Sequence, residues 1–403
     1  MMAQLPDTRW MARTGAVAVF DALEGAGGTV RFVGGCVRDC FLGRAVGDID
    51  LCTDMVPDTV RSTLENAGIR TVPTGIDHGT VTAVVDGDPV EVTSLRRDVE
   101  TDGRRAVVAF TTDFREDSLR RDFTINALYA DRSGAVTDFH DGIADLAAQR
   151  LRFIGDATSR IREDYLRILR FYRFLGQLEF DIPNDENRDA CRAERKGLAQ
   201  LSAERVAMEI RKILGAQNPC PAVAAMMEDG VLDYWLPEAI DIDALRCLNE
   251  IEGGPDPVLR LAVLTAGATQ AADIADRLKL SGVERDRLSA LDPNMTAPVS
   301  AAQARRLAYR LGPEAARDLG LFGRARGQDE WTILAETVER WTPPSLPVQG
   351  RDVLDAGVPT GPDVGRILDR VETYWIENDF EPDRSALLEL VREAAIEGGG
   401  NQK

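Results

Sequence analysis

At 403 residues the chain exceeds what one compact core holds, and two to four domains are expected. Hydrophobic residues at 44% beside 29% charged ones describe an ordinary globular protein, and the lack of any apolar run of about 18 residues excludes a membrane-spanning helix. The net charge of −19 excludes a uniformly basic nucleic-acid binder, so a polyanion would have to be held by local patches.

The acidity is uneven. Residues 1–215 carry 29 basic and 35 acidic side chains, residues 216–403 carry 19 and 32, and the stretch 151–215, with 13 and 11, is the most positive. Met1 to Phe20 lacks the basic-then-apolar order of a signal peptide, and Asp7 is out of keeping with a transit peptide. The six cysteines, at 36, 40, 52, 191, 220 and 247, are too sparse for a disulfide framework. Cys36 and Cys40 find no His or second Cys pair to complete a zinc site, so reduced thiols in a cytoplasmic protein are expected.

In chain order, Thr29–Val33 predicts a strand running into Gly34-Gly35, and Gly34–Gly43 a helix. Ile49–Cys52 is the next strand candidate and Pro57–Ala67 the next helix. Thr80–Val85 and Val90–Ser94 flank Asp86-Gly87-Asp88, which predicts a hairpin. Ala106–Phe110 and Ala135–Phe139 complete the strands. From about Ile154 the period becomes helical, as in 161-IREDYLRILRFYRFLGQL-178 and 202-SAERVAMEIRKIL-214, where Ser202 is an N-cap candidate without Glu at the third helical position. Residues 219–396 read as helices broken by Gly and Pro, notably at 343-PPSLP-347. The expectation is an α/β head on a long all-α stalk.

The chemistry of the head begins in 34-GGCVRDCFLGRAVGDIDL-51. Asp48 and Asp50 are two apart on an expected strand, so both side chains point to one face. Carboxylates that close repel unless a cation lies between them, and Mg²⁺ takes one or two carboxylates together with substrate phosphates. A turn would use the same Gly and Asp. Gly34 and Gly35 would let backbone N–H groups approach a triphosphate, a helix starting near Cys36 would add its dipole, and Arg38 would reach the phosphates. Arg38 as a surface partner of Asp39 or Asp48 is the alternative. Alternation puts Glu91, in 90-VEVTSLR-96, on the face opposite Val90 and Val92, either as a third carboxylate or as an exposed strand residue.

In 117-DSLRRDFTINAL-128, Arg120, Arg121 and Asp122 precede an apolar helical pattern. Arginine can grip phosphate bidentately and the neighbouring acid suits a ribose hydroxyl, although a mixed-charge helix start would look the same. In 163-EDYLRILRFYR-173, Asp164, Arg167, Arg170 and Arg173 recur every three residues as one slanted stripe on a helix. Cytosine and adenine both present an amine donor beside a ring-nitrogen acceptor. An accepting Asp beside a donating Arg matches them and opposes uracil and guanine. Glu163 is placed to hold Arg167. A solvated basic face is the plain alternative.

Together, 34-GGCVRD-39, 42-LGR-44, 47-GDIDL-51, 120-RRDFTINA-127, 138-DFHDGIADL-146, 163-EDYLRILRFYR-173 and 201-LSAER-205 resemble, in order and spacing, the class II tRNA nucleotidyltransferase and poly(A) polymerase family, bacterial CCA-adding enzymes above all. The resemblance covers roughly residues 28–215. It implies an α+β fold, with a polymerase-β-like nucleotidyltransferase head at 1–150, a helical neck at 151–215 for base recognition, a body at 216–342 and an RNA-binding tail at 343–403. It further implies that Asp48 and Asp50 hold Mg²⁺, that Gly35, Arg38 and Arg121 bind phosphates, and that Asp122 lies near the ribose. Asp164 and Arg167 would template the base, with Arg170 and Arg173 as further nucleotide contacts. The expected substrates are CTP, ATP and a tRNA 3′ end. Only His78 and His140 occur, so the metal-dependent phosphohydrolase domain of some relatives is not expected. The segment 97-RDVETDGRRAVVAF-110, with Gly103, Arg104 and Arg105, resembles the family's flexible loop, an exposed hairpin being the alternative. Poly(A) synthesis, or addition of only CC or only A, is the competing activity. It is disfavoured because 380-FEPDRSALLELVREAAIEGGGNQK-403 is not the basic tail that tracking along a polymer favours.

Overall fold

The computed structural model describes residues 3–72, 79–101, 106–265 and 271–399. Two compact units result, Met1–Pro237 and Glu238–Lys403. The strands of the first are β1 (Ala3–Gln4), β2 (Val30–Val33), β3 (Ile49–Thr53), β4 (Arg70–Val72), β5 (Thr80–Val85), β6 (Asp88–Ser94), β7 (Arg96–Thr101), β8 (Ala106–Phe110), β9 (Leu128–Ala130) and β10 (Ala135–Asp138). Eight of them form one sheet in the order β1-β10-β9-β2-β3-β6-β5-β4, and β7 pairs with β8 in a separate ribbon. Within the large sheet every neighbouring pair is antiparallel except β3 with β6, which run parallel and set Asp50 beside Glu91. The α+β class expected from the sequence is the one observed.

Strand alternation divides the chemistry between the two faces of this sheet. On one face Phe32 packs against Trp10 and Phe20, at ring-centroid distances of 4.8 and 4.7 Å. On the other, Val33, Cys52, Leu95, Phe114 and Tyr129 form a buried cluster. Asp50 is two residues from Cys52 and shares its face. The 86–87 turn has both residues at positive φ (52° for Asp86, 91° for Gly87), as a tight hairpin linking β5 to β6 requires.

The helices of the first unit are α1 (Thr14–Gly25), α2 (Gly35–Phe41), α3 (Pro57–Asn66), α4 (Phe114–Leu119), α5 (Gly142–Ala147), α6 (Ala157–Glu163), α7 (Leu166–Leu178), α8 (Glu186–Glu194), α9 (Ala203–Leu214) and α10 (Cys220–Glu228). Two sequence expectations are corrected here. The apolar pattern after Asp122 is no helix: Thr124–Asn126 is a short 3₁₀ turn and Leu128–Ala130 an inner strand, all three of whose residues are buried. A fully buried strand loses the alternation that separates it from a helix. The 161–178 stretch is not one helix either, because Asp164 is extended (φ −156°, ψ 103°) and splits it into α6 and α7. Residues 102–105 lie outside the described residues, and so do Gly103, Arg104 and Arg105; what flanks them is the β7–β8 hairpin.

The second unit has ten helices among its described residues, from Ile242–Ile251 to Arg384–Gly399. The proline-rich 343-PPSLP-347 falls between the helices Thr332–Arg340 and Gly350–Asp355, as expected. Val348, Val353, Val371, Trp375, Leu387 and Val391 make one of its cores.

Gly142 fixes the turn after Asp122 from behind. A Cβ there would lie 2.3 Å from the Thr124 carbonyl oxygen, which is backbone and has no room to yield. Gly142→Ala is expected to lower unfolding free energy by about 2–4 kcal/mol, read from urea denaturation; a wild-type midpoint would show that the turn is not braced there.

Candidate active site

A cavity of 460 Å³ opens where α2, the turn after α4 and the start of α7 converge. It is lined by Gly34, Gly35, Arg38, Asp50, Arg96, Arg120, Arg121, Asp122, Asn126, Asp164, Arg167, Arg170 and Phe174. Six arginines thus face three carboxylates in a protein of net charge −19, which is the local basic patch that a polyanionic ligand requires. Ten of the residues singled out in the sequence meet here: Gly34, Gly35, Arg38, Asp50, Arg120, Arg121, Asp122, Asp164, Arg167 and Arg170. Asp48, Glu91 and Arg173 do not line it.

Backbone geometry accounts for Asp48. It sits in a bend before β3, so alternation begins only at Ile49, and Asp48 is exposed at a second hollow with Arg13, Gly15, Asp88 and Val90. Asp48 thus precedes the strand that carries Asp50. Their charges still couple. Burial, then the Glu91 charge, push the Asp50 carboxyl up to about 6; Asp48 adds to the rise, and Arg121 and Arg38 oppose it. Glu91 is solvent-exposed and also the register neighbour of Asp50, so it satisfies both descriptions that the sequence left open. Asp50, Glu91 and Asp48 are the oxygen donors that could hold a divalent cation.

Asp117 organises one wall of the cavity. Its buried carboxylate accepts from Arg120 Nε at 2.8 Å, Arg121 Nη2 at 3.1 Å and the Tyr129 hydroxyl at 2.8 Å. Burial alone would raise its pKa, and the two guanidiniums bring it below the usual carboxylate range. Arg120 ends α4 and Arg121 follows it, and spacings of three and four residues bring both guanidiniums back to Asp117 in its last turn. Arg160, itself buried, donates to the carbonyls of Arg120 and Arg121 at 2.7 and 2.6 Å and pins the chain beneath them. Arg38 donates to Asn126 Oδ1 at 2.7 Å and to Asp39 at 2.8 Å. Gly34 holds φ at 73°, and α2 follows directly.

Asp122 joins this wall to α7. Its Oδ2 accepts from Arg170 Nε at 2.7 Å, while Oδ1 takes Phe123 N–H at 2.8 Å and Asn126 Nδ2 at 3.1 Å. Burial would raise its pKa; Arg170 and Asn126 hold it down at about 2. On the far wall Arg167 donates to Glu163 at 2.7 Å, the support expected of Glu163. Asp164 accepts from Leu166 N–H at 3.1 Å and from Arg205 Nη2, on α9, at 2.7 Å.

Arg173 shows why the stripe does not hold together. Each three-residue step lags the helix face by about 60°, so between Arg167 and Arg173 the stripe turns from the cavity into the interior. There Arg173 is buried, donates to Glu209 at 2.9 Å, and lies 4.4 Å from the Phe174 ring centroid. Arg38 and Arg170 also approach that ring, at 5.2 and 5.5 Å. Sequence reasoning did not single out Asp117, Asn126, Arg160, Phe174 or Arg205 as site residues. The 117–120–121 spacing was a readable signal for Asp117, whereas Arg160, Phe174 and Arg205 depend on contacts between elements distant in sequence.

Residues 30–152 match the Poly A polymerase head domain family, and residues 182–242 match the family described as the probable RNA and SrmB-binding site of polymerase A. Over 411 aligned residues the chain is 32% identical to a CCA-adding enzyme of Levilactobacillus brevis, covering 97% of this chain and 99% of the relative. The chain belongs to the CCA-adding tRNA nucleotidyltransferase family. A mouse relative, the mitochondrial CCA tRNA nucleotidyltransferase 1, is also 32% identical, with 97% of this chain and 93% of that protein covered. Among solved structures, the Bacillus stearothermophilus CCA-adding enzyme in complex with CTP superposes with a TM-score of 0.76 at 26% identity, over 96% of this chain and 98% of that one. Among CCA-adding enzymes, then, this chain is similar to bacterial and mitochondrial examples over nearly its whole length.

The raised Asp50 pKa has a consequence for stability. A carboxyl whose folded value exceeds its unfolded one resists ionisation in the fold, so stability falls as pH rises from near 4 through about 6. Asp50→Asn removes that penalty and is expected to be more stable than wild type at pH 7.5 by about 1–3 kcal/mol, with no difference near pH 4. Thermal melts across this range test it, and a pH-independent difference would contradict the environment described for Asp50.

Proposed function

We propose that the cavity binds CTP or ATP and that the protein adds CCA to the 3′ end of tRNA without a nucleic-acid template. The observation that carries this reading is the placement of Asp164 and Arg167 on the same cavity as Asp50 and the arginines. Asp164 accepts and Arg167 donates, which complements the amine and ring nitrogen of cytosine and adenine. A uracil or guanine would set carbonyl against carboxylate and N–H against guanidinium, and each such mismatch costs about 1–3 kcal/mol. Arg205 and Leu166 N–H hold the Asp164 carboxylate in place and leave it lone pairs to accept a base amine.

Arg38, Arg120 and Arg121 take the triphosphate, with the backbone of Gly34 and Gly35 beside them. Asp122, fixed by Arg170 and Asn126, lies next to the ribose. Arg173 acts through Phe174 and Arg170, since it is buried away from the cavity. The tRNA 3′-oxygen attacks the α-phosphorus, the bond to the β-phosphate oxygen breaks, and pyrophosphate leaves while the hydroxyl proton passes to solvent. The chain's contribution is position and a fixed electrostatic field.

Asp50 and Asp48, with Glu91 as a third carboxylate, are the residues that would hold Mg²⁺. Burial first, and then the Glu91 and Asp48 charges, disfavour the ionised Asp50 carboxyl, and a bound cation would relieve the repulsive part of that cost. Among the described residues no three acidic, His or Cys side chains converge as a metal-binding group, so an ion held here would have to draw further ligands from water and substrate phosphates. Bound Mg²⁺ would acidify the attacking hydroxyl and offset charge on the leaving pyrophosphate.

The division into head (1–150), neck (151–215), body (216–342) and tail (343–403) belongs to this reading, with RNA held by the helical part. The family match over 182–242 supports RNA contact. The first compact unit runs on through Pro237 and so takes in α10, whose Ala222 approaches Gly176 of α7. A cytoplasmic location also belongs to this reading, in keeping with cysteines too sparse for a disulfide framework.

Incubation with tRNA lacking its 3′ CCA, Mg²⁺, CTP and ATP should yield ordered addition of two C and one A, then a stop; long A tails from ATP alone would favour a poly(A) polymerase. Asp48→Ala and Asp50→Ala are expected to lose incorporation by at least about 10³-fold with tRNA affinity nearly intact. Arg167→Ala should erode discrimination against UTP and GTP by about tenfold or more while KM for CTP changes less, and intact selectivity would reject the template assignment.

A further inference from the structure

Arg44 has no part in the site as described, and it does not line the cavity. It follows Gly43, which ends α2 in the left-handed region (φ 66°), and the Arg44 N–H returns to the Asp39 carbonyl at 2.9 Å. That turn sets the direction in which the side chain leaves. Its guanidinium donates to Gln177 O at 2.5 Å and to Leu178 O at 3.0 Å, the last carbonyls of α7. α7 has no basic residue in its own last turn, so the cation that caps its carbonyl end comes from the head.

The other end of the same loop is held as well. Arg13, at the start of α1, donates to Gly47 O at 2.5 Å and to Val46 O. The segment from Arg44 to Asp48 is therefore fastened to α1 at one end and to α7 at the other. α7 in turn carries Arg167, Arg170 and Phe174. Its start is held by Glu163 through Arg167 and its middle by Asp122 through Arg170. Those two ties use groups that the substrate itself must meet. The Arg44 tie does not.

We propose that Arg44 is a positioning residue for base selection. It fixes the tilt of α7 against the loop that leads into the carboxylates, so that a base read by Arg167 brings its α-phosphate into register with Asp50. This rests on the nucleotide-binding reading given above. A 13-residue helix is roughly 20 Å long, and a tilt of about 5° moves one end by about 2 Å. A misplacement of about 1 Å is enough to cost about 10²-fold in a reaction that depends on alignment.

The test uses the full-length protein, tRNA lacking its 3′ CCA, and single-turnover incorporation with each of the four nucleoside triphosphates. For Arg44→Ala we expect KM for CTP within about twofold of wild type, kcat lowered about tenfold, and the preference for CTP over UTP lowered about tenfold. Arg44→Lys keeps the charge but reaches one carbonyl at a time, and should show an intermediate loss of discrimination even if the alanine variant is too unstable to assay. A residue that merely caps a helix would lower the melting temperature and leave discrimination untouched. Wild-type discrimination in both variants, whatever their melting temperatures, overturns the proposal. If the wild-type protein itself fails to incorporate CMP, the nucleotide-binding reading falls instead, and the two failures are told apart by that control.

Discussion

The ion pair between Asp122 and Arg170 is the contact on which the site depends. Asp122 belongs to the turn that follows α4 and Arg170 to the middle of α7, forty-eight residues later. A carboxylate this buried is costly unless paired, and the partner here is a guanidinium backed by two further hydrogen bonds to the same acid. Once the pair forms, the arginines anchored by Asp117 and those of α7 face each other across one cavity. Without it the two clusters would be separate basic surfaces, each repelling the other.

Much of the remaining network divides the labour of holding like charges close together. Six guanidiniums around 460 Å³ repel, and each that has been described is offset by a specific partner: Arg120 and Arg121 by Asp117, Arg38 by Asp39 and Asn126, Arg167 by Glu163, Arg170 by Asp122. The aromatic ring of Phe174 adds a neutral surface that three guanidiniums share. Asp50, by contrast, is half-buried beside Glu91, and burial together with that charge raises its pKa. The charges of Arg121 and Arg38 offset only part of that rise.

The sequence was most legible where chemistry is local. Asp48 and Asp50, Gly35 and Arg38, and Arg120 to Asp122 are each read within a few residues, and the strands Thr80–Val85 and Ala106–Phe110 have the predicted limits. It was least legible where elements are buried on both sides or where the chain changes direction. Leu128–Ala130 looked helical because a strand between two others needs no polar face. Asp164 looked like one residue of a continuous stripe because periodicity does not register a single extended residue between two helices.

What the sequence by itself determined is which side chains are on offer at short spacing: paired carboxylates, clustered arginines, and an acceptor next to a donor. Those features rest on side-chain identity and short spacing, which are properties of the chain before it folds. Only the tertiary structure decided which members of each set share a space. Arg173 turned inward to Glu209, Asp48 fell outside its strand, and Arg44 reached the end of α7 because helix phase, strand limits and long-range packing are settled by the whole fold.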